Sequence, residues 1–266
     1  MNTIGPQVFK KLHRPPKSSH KGQNGQLLII AGSRHYHGSL VFTVRIASKI
    51  VDKIHVLTTR ENEAVVRRLR VGTAVFIPSY NLVRGMQLAD CILVGPGMGT
   101  EARTKKLVAG VLQSGMRAVL DADALNVLDK KLLRLLNGRH ILTPHKGEFR
   151  KAFGLKPTPE NAAAAARKHD CTIVLKGRVD YVATPKGVWE NRTGNEGMTK
   201  GGTGDVLAGL ITAFLCRNDA FTAAAAGIYL NGAAGDDLYK KIGPYFNAED
   251  LLEQIPKTLW KQKNQK

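Results

Sequence analysis

Residues 195–205 read N-E-G-M-T-K-G-G-T-G-D, and V-L-A-G-L-I follows at 206–211. Three glycines, Gly201, Gly202 and Gly204, remove Cβ atoms where the backbone has to come close to something. The apolar run behind them predicts a buried helix over 203–217 with Thr203 as its cap. Amides at the mouth of such a helix point outward at the positive end of its dipole, a geometry that binds phosphate. Asp205 repels an anion there, so it needs a reason to be present. An acidic side chain favours a first helical turn by about 0.3–1 kcal/mol. A carboxylate beside a bound phosphoryl group also accepts the proton of an attacking hydroxyl. The loop is neither a Walker A sequence nor a G-x-G-x-x-G fingerprint.

Upstream of this loop, short apolar runs alternate with helical patterns. Strands are expected at 26–31, 53–58, 74–77, 91–94, 118–121, 140–143 and 172–175. Helices are expected at 40–51, 101–113 and, alanine-rich, 160–169. A hairpin over 179–184 and 187–190 turns at Pro185, Lys186 and Gly187. Downstream, helices are expected at 203–217, 220–241 and 248–259. The alternation predicts an α/β fold with a mostly parallel central sheet and helices on both faces. Its ligands belong at the carboxyl ends of the strands.

Each further cluster falls after a predicted strand. Gly95-Pro-Gly-Met-Gly99 follows 91–94 and by itself is a tight turn. Asp121-Ala-Asp-Ala-Leu-Asn126 follows 118–121, and its two acids suit a metal or a helix cap. Thr143-Pro-His-Lys-Gly-Glu148 puts His145 in a strand-end loop. Lys176 and Gly177 close the strand T-I-V-L, where the lysine can reach phosphates. Lys200 adds positive charge to the glycine loop or is simply solvated.

The bulk numbers fit one soluble enzyme. The 266 residues are 43% apolar, enough for a large core. Cys91, Cys171 and Cys216 are sparse and odd in number, which predicts reduced thiols rather than a disulfide scaffold. The first 21 residues lack the apolar centre of a signal peptide, and no run suits a membrane helix. A cytoplasmic protein is therefore expected. Forty Lys and Arg against 21 Asp and Glu give a net charge of +19, which favours anionic partners. Part of that excess sits in a basic leader, 1–20, and a basic tail, 261–266, around a single catalytic domain at 21–260.

The order of these motifs is similar to that of the ADP/ATP-dependent NAD(P)H-hydrate dehydratase family of the ribokinase-like superfamily. The string G-M-T-K-G-G-T-G-D-V-L-A-G resembles its G-M-A-T-G-G-T-G-D-V-L-A-G, departing at Thr199 and Lys200. Lys21-Gly22-x-x-Gly25 through Ala31-Gly32-Ser33, then Tyr36-His-Gly-Ser39, resemble its front end, with Ser39 in place of alanine. T-P-H-K-G-E has Lys146 in place of proline. Ala234-Gly235-Asp236 and Asn247-Ala248-Glu249-Asp250 also match, so the likeness runs over about residues 20–256.

The resemblance implies a ribokinase-like three-layer sandwich and a repair reaction. Hydrated NADH or NADPH is phosphorylated on its ring hydroxyl by ADP or ATP, and phosphate then leaves. It implies that Ser39, Gly99, His145 and Asp205 touch the hydrate and that Asp205 is the catalytic base. Lys176, Gly177, Arg178, Val179, Asp180 and Gly204 would hold the nucleotide. Gly202, Thr203 and Gly204 would form an anion hole. Mg²⁺ is the implied cofactor, with its ligands in the chain left open. A homo-oligomer, tetrameric as in relatives, is implied as well. So is a separate NAD(P)H-hydrate epimerase, because the chain has no room for that domain. Two other readings compete. A vitamin-precursor kinase of the same superfamily would share G-x-G-D but not the two longer strings. A nucleic-acid-binding protein would use the charge, yet no such module is present and only 6% of residues are aromatic.

Overall fold

A computed structural model describes residues 2–68, 71–78 and 81–264. The chain runs β1 (Asn2–Thr3), a 3₁₀ turn (Pro6–Lys10), β2 (Gln26–Ile30), α1 (Gly38–Ala47), β3 (Lys53–Leu57), α2 (Arg60–Arg68), β4 (Ala74–Phe76), α3 (Leu82–Gln87), β5 (Cys91–Val94) and α4 (Ala102–Gln113). Then come β6 (Ala118–Leu120), α5 (Asp123–Asn126), α6 (Lys130–Leu133), β7 (His140–Leu142), α7 (Lys146–Phe153), α8 (Pro159–Lys168), β8 (Thr172–Leu175), β9 (Asp180–Thr184) and β10 (Gly187–Asn191). A second 3₁₀ turn (Glu196–Thr199) leads into α9 (Thr203–Leu215), α10 (Ala220–Ile242) and α11 (Ala248–Asn264).

All ten strands form one sheet in the order β1-β10-β9-β8-β7-β6-β5-β2-β3-β4. The strands from β8 to β4 run parallel; β9 is antiparallel to both of its neighbours. Successive strand side chains point to opposite faces, and both faces are covered. Leu27, Ile29 and Leu93 enter one core layer with α1, α9, α10 and α11. Leu28, Ile30, Ile92 and Val94 enter the other with α4 to α8. That is why the strands read as continuous apolar runs rather than alternating ones.

Helix α9 is buried around most of its circumference, and glycine is what admits its neighbours. A Cβ on Gly209 would lie 2.6 Å from Ile46 Cγ2 and 3.1 Å from the Thr43 backbone. A Cβ on Gly227 would meet Ile211 at 2.4 Å. The predicted strands and long helices are in place, with α1 ending a turn early and α11 running a turn late.

The segment read as a leader takes part in the fold. β1 pairs with β10, and Ile4, Phe9 and Leu12 are buried. Of the segment read as a tail, 261–264 continues α11, and Lys263 donates to the carbonyl of His13 at 3.0 Å. Residues 265 and 266 lie outside the described residues. No described helix is long and apolar enough to cross a membrane.

Candidate active site

The glycine loop reaches α9 through Gly202, which sits at φ 92° and is the N-cap residue. A Cβ there would fall 2.4 Å from Phe42 Cε2, so only glycine fits both the turn and the space. Thr203 is not the cap. Its hydroxyl donates back to the carbonyls of Met198 (2.8 Å) and Lys200 (3.0 Å), stapling the loop shut. The amides of Gly204 and Asp205 lie in the first helical turn, where no intrahelical acceptor exists. Lys200 turns aside. Its ammonium donates to the carbonyl of Pro244 and lies 5.5 Å over the Phe246 ring, tying the loop to the α10–α11 connection.

Three neighbouring strands deliver a charged cluster to this helix mouth. Asp121 follows β6, Thr143 follows β7 and Lys176 follows β8. Asp121 Oδ1 accepts from Lys176 Nζ at 2.8 Å and from Thr143 Oγ1 at 2.7 Å. The Lys176 ammonium lies 3.8 Å from where a Gly204 Cβ would be, so the missing side chain leaves it beside the first turn of α9. Burial opposes the charge on Lys176, but the carboxylates of Asp121, Glu148 and Asp205 outweigh it and hold the amine above its ordinary value. Burial, with the charge of Asp121, pushes Glu148 up; Lys176 and His145 pull the other way.

Asp205 feels the same field. Burial raises its pKa first, Asp121 raises it further, and a Ser39 hydrogen bond and Lys176 offset part of that; Asp123 also raises it. The net result is a carboxyl pushed up to about 7. Such a group is a stronger base than an ordinary aspartate and still ionises near neutrality.

The two acids of D-A-D bridge loops; neither caps a helix. Ala122 between them has φ 49°, a strained setting for a residue with a Cβ. On one side Asp121 takes Lys176; on the other Asp123 Oδ2 accepts the Gly99 amide at 2.8 Å. The G-P-G-M-G turn can approach only because Gly95 is bare: a Cβ there would lie 1.9 Å from the Asp121 carbonyl. Gly97 in turn packs on Ser39 in the first turn of α1.

Two cavities flank the cluster. One, about 430 Å³, is lined by Ser33, Arg34, Tyr36, Thr58, Gly99 and Arg103. The other, about 760 Å³, is lined by Gly177, Arg178, Val179, Arg192, Gly194 and Asn195. Neither lining includes Asp205: it bonds to Ser39, on which Gly97 packs near the first cavity, and Lys176 precedes Gly177 at the second. Volumes in this range suit nucleotide-sized ligands.

Of the candidate residues, Ser39, Lys176, Gly204 and Asp205 meet at the α9 mouth. Gly99 borders the smaller cavity; Gly177, Arg178 and Val179 border the larger one. Asp180 closes that turn, its Oδ1 accepting the Gly177 amide at 2.9 Å. The ring of His145 caps α7, Nδ1 accepting from the amides of Gly147 (2.9 Å) and Glu148 (3.1 Å), while Nε2 lies 3.4 Å from Glu148 Oε1. The wall formed by Arg192, Gly194 and Asn195 was not singled out from sequence. Asp236, which the sequence offers only as part of a family string with no role, accepts from the Gly194 amide and the Asn195 side chain, both at 3.0 Å.

A parallel sheet with bare amides, a lysine and a raised aspartate at its carboxyl edge is an arrangement suited to holding phosphate groups. Solved structures share this fold. A ribokinase-like superfamily protein from Enterococcus faecalis superposes with a TM-score of 0.89, at 24% identity, over 99% of this chain and 97% of that one. The ADP/ATP-dependent NAD(P)H-hydrate dehydratase of Bacillus subtilis, co-crystallised with ATP/Mg²⁺, superposes at 0.84 with 26% identity over 99% of each chain.

The NAD(P)H-hydrate dehydratase profile matches residues 27–257; the chain belongs to that family. The bifunctional NAD(P)H-hydrate repair enzyme of Methanocaldococcus jannaschii is 36% identical over 96% of this chain and 52% of its own length. The chain thus spans about half of that relative. The ADP-dependent (S)-NAD(P)H-hydrate dehydratase of Cenarchaeum symbiosum is 32% identical over 91% of both.

Proposed function

We propose that this chain dehydrates hydrated NADH or NADPH at the expense of ADP or ATP. The observation that carries the reading is Asp205: a carboxyl raised to about 7, in the first turn of α9 beside unpaired amides and Lys176. The hydrate lies along the cavity bordered by Gly99, with Ser39 and His145 as further contacts. The nucleotide lies in the cavity bordered by Gly177, Arg178 and Val179, with Lys176, Asp180 and Gly204 completing its site. Asp205 accepts the proton of the ring hydroxyl, and the freed oxygen attacks the terminal phosphorus. The O–P bond to the shortened nucleotide breaks as the new one forms. Amides around Gly202, Thr203 and Gly204 hold the charge on the moving phosphoryl group. The C–O bond then breaks, phosphate departs, and loss of a ring proton restores the double bond.

Magnesium, where bound, would be carried by the nucleotide. Among the described residues no group of three or more His, Cys, Asp or Glu is arranged to hold a metal. Mg²⁺ would be held chiefly by phosphate oxygens and water, as it commonly is, and would neutralise phosphate charge there. The catalytic unit is a single domain that takes in the segments read as leader and tail, since β1 pairs with β10 and α11 runs on to Asn264. It acts in the cytoplasm as a homo-oligomer, a tetramer, beside an NAD(P)H-hydrate epimerase that interconverts the hydrate's epimers. The test is direct. The purified chain, hydrated NADH or NADPH, Mg²⁺ and either ADP or ATP should together restore the absorbance of reduced nicotinamide, with one phosphate released per turnover. No recovery with either nucleotide would sink the proposal.

A further inference from the structure

Two of the three cysteines are brought together from opposite halves of the chain. Cys91 opens β5 and Cys216 is the C-cap residue of α9. Both are buried, and their Sγ atoms lie 2.8 Å apart across 125 residues of sequence. A bonded pair is about 2.0 Å apart, so a shift of under about 1 Å joins them. The surroundings favour this approach. A Cβ on Gly25 would fall 2.9 Å from Cys216 Cβ, and Gly25 holds φ 120°, so the bare turn makes room for Cys216 against the sheet. Cys91 Sγ also lies 3.2 Å from the Thr212 carbonyl. Cys171 packs in the other core layer, remote from both.

Both thiols are free in the structure; we propose, against the reduced thiols expected from sequence, that Cys91 and Cys216 are a cross-linking site able to close as a disulfide that pins the C-terminal end of α9 to β5. The bond forms as the chain folds, before α9 covers the sheet. A small disulfide of the glutathione type serves as oxidant: two thiols become one S–S bond, and the oxidant leaves as two thiols. Exchange requires a thiolate with access to sulfur, and burial denies that access afterwards. Burial also pushes the Cys91 thiol far above its ordinary value when reduced, so the folded dithiol is a poor nucleophile. The bond therefore survives a reducing solution as long as the protein stays folded. It closes a loop that contains β6 to α9, and with them Asp121, Lys176 and Asp205. The cross-link constrains the unfolded chain most when the loop is long. It sits about 15–18 Å along α9 from Asp205, so it supports the site without touching it.

The test needs no variant. The chain is refolded with oxidised glutathione, unfolded without reductant and alkylated. One adduct, on Cys171, is expected, with the Cys91 and Cys216 peptides linked. The same protein refolded with reductant should carry three adducts and melt about 5–10 °C lower. Three adducts after oxidative refolding, or a bond involving Cys171, would overturn the proposal. So would equal melting temperatures of the two forms. A Cys171→Ser variant should leave the redox-dependent difference in place, and its loss there would also count against the assignment.

Discussion

Asp205 is where burial, field and chemistry meet, and its behaviour with pH has a definite sign. On the proposed role the reacting form is the ionised one, so kcat/KM should climb with pH and level off above about 7. Asp205→Asn should lower turnover by about 10²–10⁴-fold, leave binding of both ligands near normal, and erase that acidic limb. Stability runs the other way. The folded pKa exceeds the unfolded one, so between about pH 4 and 7 the folded state holds the extra proton. Stability from this group is complete below pH 4 and is lost as pH rises through 7. Each unit of pKa corresponds to about 1.4 kcal/mol, so Asp205→Asn should be more stable at pH 8 by about 1 kcal/mol or more in urea unfolding. Lys176 makes the opposite contribution. Its charge lowers the Asp205 pKa, so Lys176→Gln should move the acidic limb above pH 7. The same change strips Asp121 of its partner at 2.8 Å, and removing one member of a buried pair costs about 3 kcal/mol.

Helix α10 touches no proposed ligand, yet it shapes the cavity proposed for the nucleotide. Loop 193–198 lies flat on it because Gly232 and Gly235 are bare: their Cβ atoms would meet Thr193 Oγ1 at 2.2 Å and Met198 Sδ at 2.5 Å. Asp236, one residue on, takes the Gly194 amide and the Asn195 side chain. Asp236→Ala should free this wall and raise the nucleotide KM about tenfold, roughly 1.4 kcal/mol, with the hydrate KM unchanged. Asp236→Asn keeps an acceptor and should recover part of the loss. A parallel rise in both KM values would refute the clamp. Gly232→Ala should melt lower, since the overlap is with backbone as well as side chain and costs about 1–3 kcal/mol.

None of this was readable beforehand. A-G-D matched a family string at 234–236, but which loop the helix would face is a tertiary fact. The strands and long helices were readable because their apolar runs are continuous and bounded by Gly, Pro or polar turns. The four-residue α5 and α6 show too little periodicity to detect. α2 is mostly charged and buries little beyond Asn62 and Val66. At the site, the order of motifs placed Asp205, Lys176 and Gly177 near one edge. It did not show that Asp121 would pair with Lys176, that Thr203 would staple a loop, or that His145 would spend its ring on capping α7.

Taken as one body, the protein is a strong cation, and that bears on how it meets its ligands. The net charge of +19 acts on any polyanion within reach, and physiological salt confines that reach to about 8 Å. The buried cluster itself sets Asp121, Glu148 and Asp205 against Lys176, which is committed to Asp121, so the excess lies outside it. On the proposed function the charge would serve encounter more than grip, concentrating the nucleotide and the hydrate near the sheet edge. Raising NaCl from 20 to 500 mM should raise the KM of both ligands about three- to tenfold, while kcat holds. The buried field around Asp205 is shielded from ions, so the midpoint of its acidic limb should barely move across the same series. A kcat that falls with salt while both KM values stay constant would mean that the charge supports the fold rather than capture. Duplex DNA binding offers the contrasting control. If the chain held DNA with a steep salt slope and lost its KM dependence, the surface would belong to nucleic acid. The expected result is weak, unspecific retention that disappears well below the salt at which turnover still proceeds.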